Sequence, residues 1–154
     1  MILQGVSVCP GCTLAPSYLL AEPPAFDLHQ RAAEPVDRTL ARIDAAFQTI
    51  AAELTAAREQ YAVAGAAEQA DLMDVQMAML DDSFFRDQIT AAAQAGLSAS
   101  AAVLSCGKEQ ENMLLALNDD YMSARAEDIH DLSLRIACQI EGVSRPDLST
   151  LSSD

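Results

Sequence analysis

The chain has no tryptophan, its aromatic residues make up only 5% of 154 positions, and basic side chains are scarce, nine Lys and Arg against 23 Asp and Glu. Each shortage excludes something. A formal net charge of -14 repels nucleic-acid phosphates and anionic headgroups, so neither nucleic acid nor a membrane surface is an expected partner, and a basic protein is favoured. No apolar run approaches the roughly 20 residues that span a bilayer, and the N-terminal segment lacks the basic start and long apolar centre of a secretion signal. The expected location is therefore cytoplasmic. Hydrophobic residues nonetheless reach 51%, and much of that share is Ala, a composition suited to helices rather than sheets.

Cysteine is also sparse, and its placement matters more than its number. Cys9-Pro10-Gly11-Cys12 forms a C-x-x-C pair, while Cys106 and Cys138 stand alone inside helical patterns. A structural zinc site usually draws on two close pairs, and an isolated Cys in a helix acts as a small hydrophobe. No metal site is expected. The alternative, a Cys-based metal or redox protein, requires bound zinc or a reversible Cys9–Cys12 disulfide.

Periodicity divides the rest. Residues 1–21 carry Val6, Val8, Leu14, Tyr18 and Leu20 around a Pro-Gly turn and read as short extended or β segments, too few to form a sheet alone. Such an edge is expected to stay mobile or to pair with a second copy of the chain. Residues 22–34 read as a linker that delivers Pro35 to the first turn of a helix. From there Val36, Leu40, Ile43, Phe47, Ile50, Leu54, Ala57 and Tyr61 recur at fours and threes, one apolar seam up to the break at Gly65.

A shorter helix over 67–80 ends at Asp81-Asp82. Asp82 is placed to cap a segment bearing Phe84, Phe85 and Ile89 that stops at Gly96. Ser98 or Ser100 then opens a helix with Val103, Cys106, Gln110, Met113 and Leu117 in phase. Asn118 or Asp119 caps a last helix whose stripe is Met122, Ala126, Ile129, Leu132, Ile136 and Ile140, ended by Gly142. Asp131 and Arg135 on its flank have the spacing of an i,i+4 ion pair. The expected fold is mainly α, an antiparallel helical bundle with long paired helices, a shorter broken helix and a short N-terminal extended or β segment. The helical body runs over 35–142 and the aperiodic tail over 143–154.

Three segments carry a family resemblance. Asp119-Asp120-Tyr121 with Arg125-Ala126, Asp128-Ile129 and Asp131 gives D-D-Y-x-x-x-R-A-x-D-I-x-D; Gly5 to Gly11 gives G-x-x-x-C-P-G; Asp74 to Asp82 gives an acid, Leu80 and Asp82 in a fixed frame. In order and spacing these resemble the N-terminal region of phosphoenolpyruvate-protein phosphotransferase, enzyme I of the bacterial sugar phosphotransferase system. Cys9 stands where that family usually has Ser, and Gln76 where it usually has His. The resemblance implies that 1–21 supplies strands of an incomplete phosphohistidine α/β domain, that 35–142 is the subdomain that docks the phosphocarrier HPr, and that 143–154 links to a missing remainder.

What the resemblance implies for chemistry is docking without catalysis. The family's acceptor histidine lies in a Gly-Gly-x-x-Ser-His segment absent from this sequence, and His29 and His130 read as ordinary surface histidines. No catalytic residue and no cofactor are expected in this chain, whereas the full enzyme would use phosphoenolpyruvate and Mg. The family's carrier-facing positions fall on Glu68, Asp71, Gln76, Met79, Asp82, Phe85 and Leu114, with Asp128 completing a ring of carboxylates around an apolar patch. Ala67, Gln76 and Phe84 depart from the commoner polar or charged residues there, which points to a divergent HPr-like partner. The rival reading is a stand-alone helical adaptor or regulatory protein without phosphotransfer, and the gene sequence downstream of Asp154 separates the two.

Overall fold

The computed structural model describes residues 25–143, all within one compact unit, Pro23–Arg145. Five helices follow one another: α1 Val36–Val63, α2 Ala67–Leu80, α3 Ser83–Gln94, α4 Ala99–Leu115 and α5 Asp120–Glu141. Among the described residues there is no strand, only one isolated antiparallel bridge between Arg31 and Leu97. The expected extended segments at 1–21 and nearly all of the tail lie outside the described residues.

Capping chemistry sets the helix boundaries. The Asp82 carboxylate accepts the Phe84 and Phe85 N–H groups at 2.8 and 3.4 Å. The Ser98 hydroxyl accepts the Ala101 N–H, and Asp119 accepts that of Met122 at 3.0 Å. Each satisfies a donor that the first helical turn would otherwise leave bare. At the far end Gly142 adopts φ 65, the left-handed conformation that closes a helix most easily without a Cβ.

Cross-helix pairs give the directions. Arg58 meets Asp74 while Thr55 meets Met77, so α1 and α2 are antiparallel across the short turn at Gly65. His130 meets Glu111, and Ser133 lies against Gly107 further along, so α5 returns antiparallel to α4 in the most extensive helix contact of the unit. Gln110 bonds to Gln88 at 3.3 Å between α4 and α3. The core between them is built from Phe47, Ile50 and Leu54 of α1, Leu80 of α2, Phe85 and Ile89 of α3, Val103 and Cys106 of α4, and Leu132 and Ile136 of α5. Burying these faces from water is what holds the bundle.

Two sequence expectations need correction. Arg135 does not close an ion pair with Asp131; it reaches across to Glu53 on α1 at 2.7 Å, because its side of α5 faces that helix. Met113 and Leu117 do not continue the buried seam of α4, being 53% and 59% exposed. The register explains it: with Gln110 opposite Gln88, the chain at Leu117 has already passed the first turn of α3. The segment read as a linker is also partly fastened down. Ala32 N–H donates to Gly96 O at 3.0 Å and Ser98 N–H to Gln30 O at 2.8 Å. Gly96 (φ 93) makes room there, since a Cβ would sit 3.1 Å from the Arg31 guanidinium carbon.

Candidate functional site

α2 is the helix whose sequence promises more than a core contact, and its exposure pattern bears on that. Only Ala70 and Leu80 are buried along it; Met73, Val75, Gln76, Met77 and Met79 are half-buried, and Leu72 is 48% exposed. One side packs on α1, and the other stays open, with Glu68 and Asp71 exposed on its first turns. Asp74 sits on the α1 side, held by Arg58.

At the end of α2 the chain turns sharply through Asp81 and Asp82 into α3. There Met79, Asp82 and Phe85 come together with Gln110 of α4 and with Ile129 and Leu132 of α5 around a recess of about 40 Å³. That volume holds a water or two and no metabolite. Asp82 spends its carboxylate on the α3 cap, so it fixes the backbone of the patch as well as charging its edge. Phe85 is 4% exposed and belongs to the core, forming the wall beneath the recess. The ring left open is its neighbour Phe84, 60% exposed.

The remaining expected positions lie outside that recess. Leu114 is half-buried on α4, one turn past Gln110. Asp128 is half-buried on α5 and accepts a hydrogen bond from Arg125 Nη1 at 3.3 Å. Arg125 donates further to the Tyr121 hydroxyl at 3.0 and 3.2 Å, and its guanidinium stacks over the Tyr121 ring at 5.1 Å. The Tyr, Arg and Asp of the sequence motif thus form one ordered cluster at the start of α5. Of the eight expected site residues, the structure gathers Met79, Asp82 and Phe85 and leaves Glu68, Asp71, Gln76, Leu114 and Asp128 spread over α2, α4 and α5.

A second, wider groove of about 390 Å³ lies between α4 and α5, lined by Glu111, Leu115, Ala126, Glu127, His130 and Asp131. Its organising group is Glu111, which accepts from Lys108 at 2.6 Å and faces His130 at 3.2 Å. Burial pushes the Glu111 carboxyl up, but the hydrogen bonds and charges of Lys108 and His130 together outweigh it and hold the group below its ordinary range. His130 read as a lone surface histidine because its partner lies 19 positions away on another helix. Among the described residues no set of three His, Cys, Asp or Glu side chains is placed to hold a metal, and Cys106 and Cys138 are buried.

Comparison with known proteins adds the evolutionary frame. A family profile described as PEP-utilising enzyme, N-terminal, matches residues 4–125. The sequence is 27% identical over 97% of its length to a phosphoenolpyruvate-protein phosphotransferase of Staphylococcus aureus and 28% identical over 99% to one of Enterococcus faecalis. It spans about a quarter of those relatives, 26% and 27% of their lengths. Among solved structures, a solution structure of an Enzyme I protein (nEIt) superposes with a TM-score of 0.69 over 75% of this chain and 47% of that one, at 23% identity.

Proposed function

The chain belongs to the PEP-utilising enzyme N-terminal family, and from that premise we propose that its helical body is the docking part of a phosphoenolpyruvate-protein phosphotransferase, receiving the phosphocarrier HPr during sugar uptake. The observation that carries this reading is the state of α2: it buries only Ala70 and Leu80, packs Met73, Met77 and Met79 partly against the core, and leaves Glu68, Asp71 and Leu72 exposed. A surface of that kind, with half-buried Met79 and exposed Phe84 at its centre and Glu68, Asp71 and Asp82 at its edge, suits a partner with an apolar middle and basic surroundings.

On this reading the chain positions and does not react. Phosphoenolpyruvate and Mg would supply the phosphoryl chemistry of the whole enzyme. The residues described here contribute a platform: α2 and the start of α3, whose first turn the Asp82 carboxylate caps. Holding a carrier in one orientation makes transfer to it effectively intramolecular, which is the largest service a non-reacting surface gives. The same reading places the protein in the cytoplasm. Among the described residues no helix is long and apolar enough to cross a membrane.

The test is a titration of isotope-labelled chain with purified HPr of Staphylococcus aureus and of Enterococcus faecalis, followed by amide shifts. Saturable changes centred on residues 68–85 and 114 are expected. Changes confined to the outer side of α1, or none at all, would overturn the docking assignment.

A further inference from the structure

Phe84 is conspicuous within the docking surface because nothing in the fold requires it. Of the phenylalanines among the described residues, Phe47 and Phe85 are buried at 2% and 4% exposure and Phe26 is half-buried, whereas Phe84 is 60% exposed. Its backbone is nevertheless fixed, since its N–H is bonded to the Asp82 carboxylate at 2.8 Å in the first turn of α3. The backbone beneath the ring is thus already set, and covering the ring costs only side-chain rotamer freedom.

Its neighbours follow from the register. Gln88, one turn along α3, meets Gln110 of α4. The two helices run antiparallel, so Phe84, one turn before Gln88, and Leu114, one turn after Gln110, lie toward the same end of the pair, where Met113 is 53% exposed. The nearest cation on α3, Arg86, is turned away, its guanidinium stacked on Phe47 at 4.6 Å and reaching Asp44 of α1 at 3.3 Å. What surrounds Phe84 at the surface is acidic: Asp81, Asp82 and Asp87 are all exposed.

Building on the docking reading above, we propose that Phe84 is the specificity anchor of the surface, entering an apolar hollow on an HPr-like carrier whose rim carries Lys and Arg side chains that meet Asp81, Asp82 and Asp87. The acidic edge fixes the sign of the rim, and the ring fixes the hollow. A carrier with a charged side chain at the hollow is rejected, because that charge would be covered by the ring without a partner.

The experiment measures binding of the HPr-like protein encoded in the same genome to the full chain and to Phe84→Ala, Phe84→Glu and Phe84→Leu, by calorimetry, with helicity and unfolding midpoint checked by circular dichroism. Phe84→Ala and Phe84→Glu are expected to weaken binding by about tenfold or more, the range of an interface hot spot, with helicity unchanged. Phe84→Leu should stay within about threefold, since it keeps apolar bulk. Equal binding by all four proteins would overturn the anchor while leaving the docking surface standing. Failure of the unaltered chain to bind would overturn the docking reading and the anchor with it.

Discussion

Gly107 and Ser133 meet where α4 crosses α5, and the crossing tolerates no side chain on the first. A Cβ on Gly107 would come within 2.7 Å of Ser133 Cβ and closer still to its hydroxyl. Alanine would gain about 1 kcal/mol of helix propensity, yet forcing two packed helices apart costs about 1–3 kcal/mol, so the steric term decides the sign. Gly107→Ala should lower the thermal midpoint by several degrees. Ser133 Oγ is buried without a hydrogen-bond partner, so Ser133→Ala should be neutral or slightly stabilising. A midpoint raised by Gly107→Ala would show that the crossing has slack. At the position just before Gly107, burial pushes the Cys106 thiol up to about 11. Below an ordinary thiol value near 9 it is protonated in both folded and unfolded chains. Between about 9 and about 11 only the unfolded chain ionises, so stability falls with rising pH, by about 2–3 kcal/mol at the end of the window. Urea unfolding at pH 8 and pH 10.5 should show that loss, and Cys106→Ala should flatten it.

At the scale of elements, α2 and α3 share a patch but divide its duties. Met79 is half-buried at the recess, whereas Phe85 at 4% exposure is core. Met79→Asp is therefore expected to weaken carrier binding about tenfold or more with helicity intact. Phe85→Asp places an unpaired carboxylate in the interior and should cost several kcal/mol, unfolding much of the chain at room temperature. Comparison of both variants by circular dichroism and carrier titration checks the division; a well-folded Phe85→Asp would put that ring at the surface after all. Helix limits were legible because caps are local chemistry: Asp82, Ser98, Asp119 and Gly142 announce ends within a few residues. The antiparallel bundle followed from the seams they bound. What stayed hidden depends on which helix lies opposite. Periodicity put Phe85 and Phe84 side by side without saying which faces inward, continued the α4 seam to Met113 and Leu117 past the end of its neighbour, and paired Arg135 along its own helix instead of with Glu53. Gly107 and His130 were silent for the same reason, since their partners Ser133 and Glu111 are far away in sequence.

For the whole molecule, the question is where the smallest independently folding piece begins. Every buried side chain of the described residues lies between Thr39 and Cys138, which favours a start at the first helix, Val36. The contacts before that helix argue for an earlier start. Gln30 and Ala32 bond to Ser98 and Gly96 at the α3–α4 turn. Glu34 pairs with Arg42 at 3.0 Å, and Arg42 also donates to Ile140 O at 3.1 Å near the end of α5. The segment before α1 thus straps the α3–α4 turn, and through Arg42 it reaches the end of the last helix. A chain of residues 23–145 is expected to unfold in one cooperative transition within a few degrees of the full protein. Starting at residue 36 removes the two backbone hydrogen bonds to the α3–α4 turn, the acceptor that Pro35 O gives the Arg38 and Thr39 N–H groups, and one partly exposed ion pair; the loss, about 1–3 kcal/mol, should lower the midpoint by several degrees without loss of helicity. Equal midpoints for the two truncations would show that the strap contributes nothing and that the unit begins at α1. A broad, non-cooperative transition for 23–145 would show that the helical body depends on residues beyond it, and the docking platform would then have to be studied only in the longer protein.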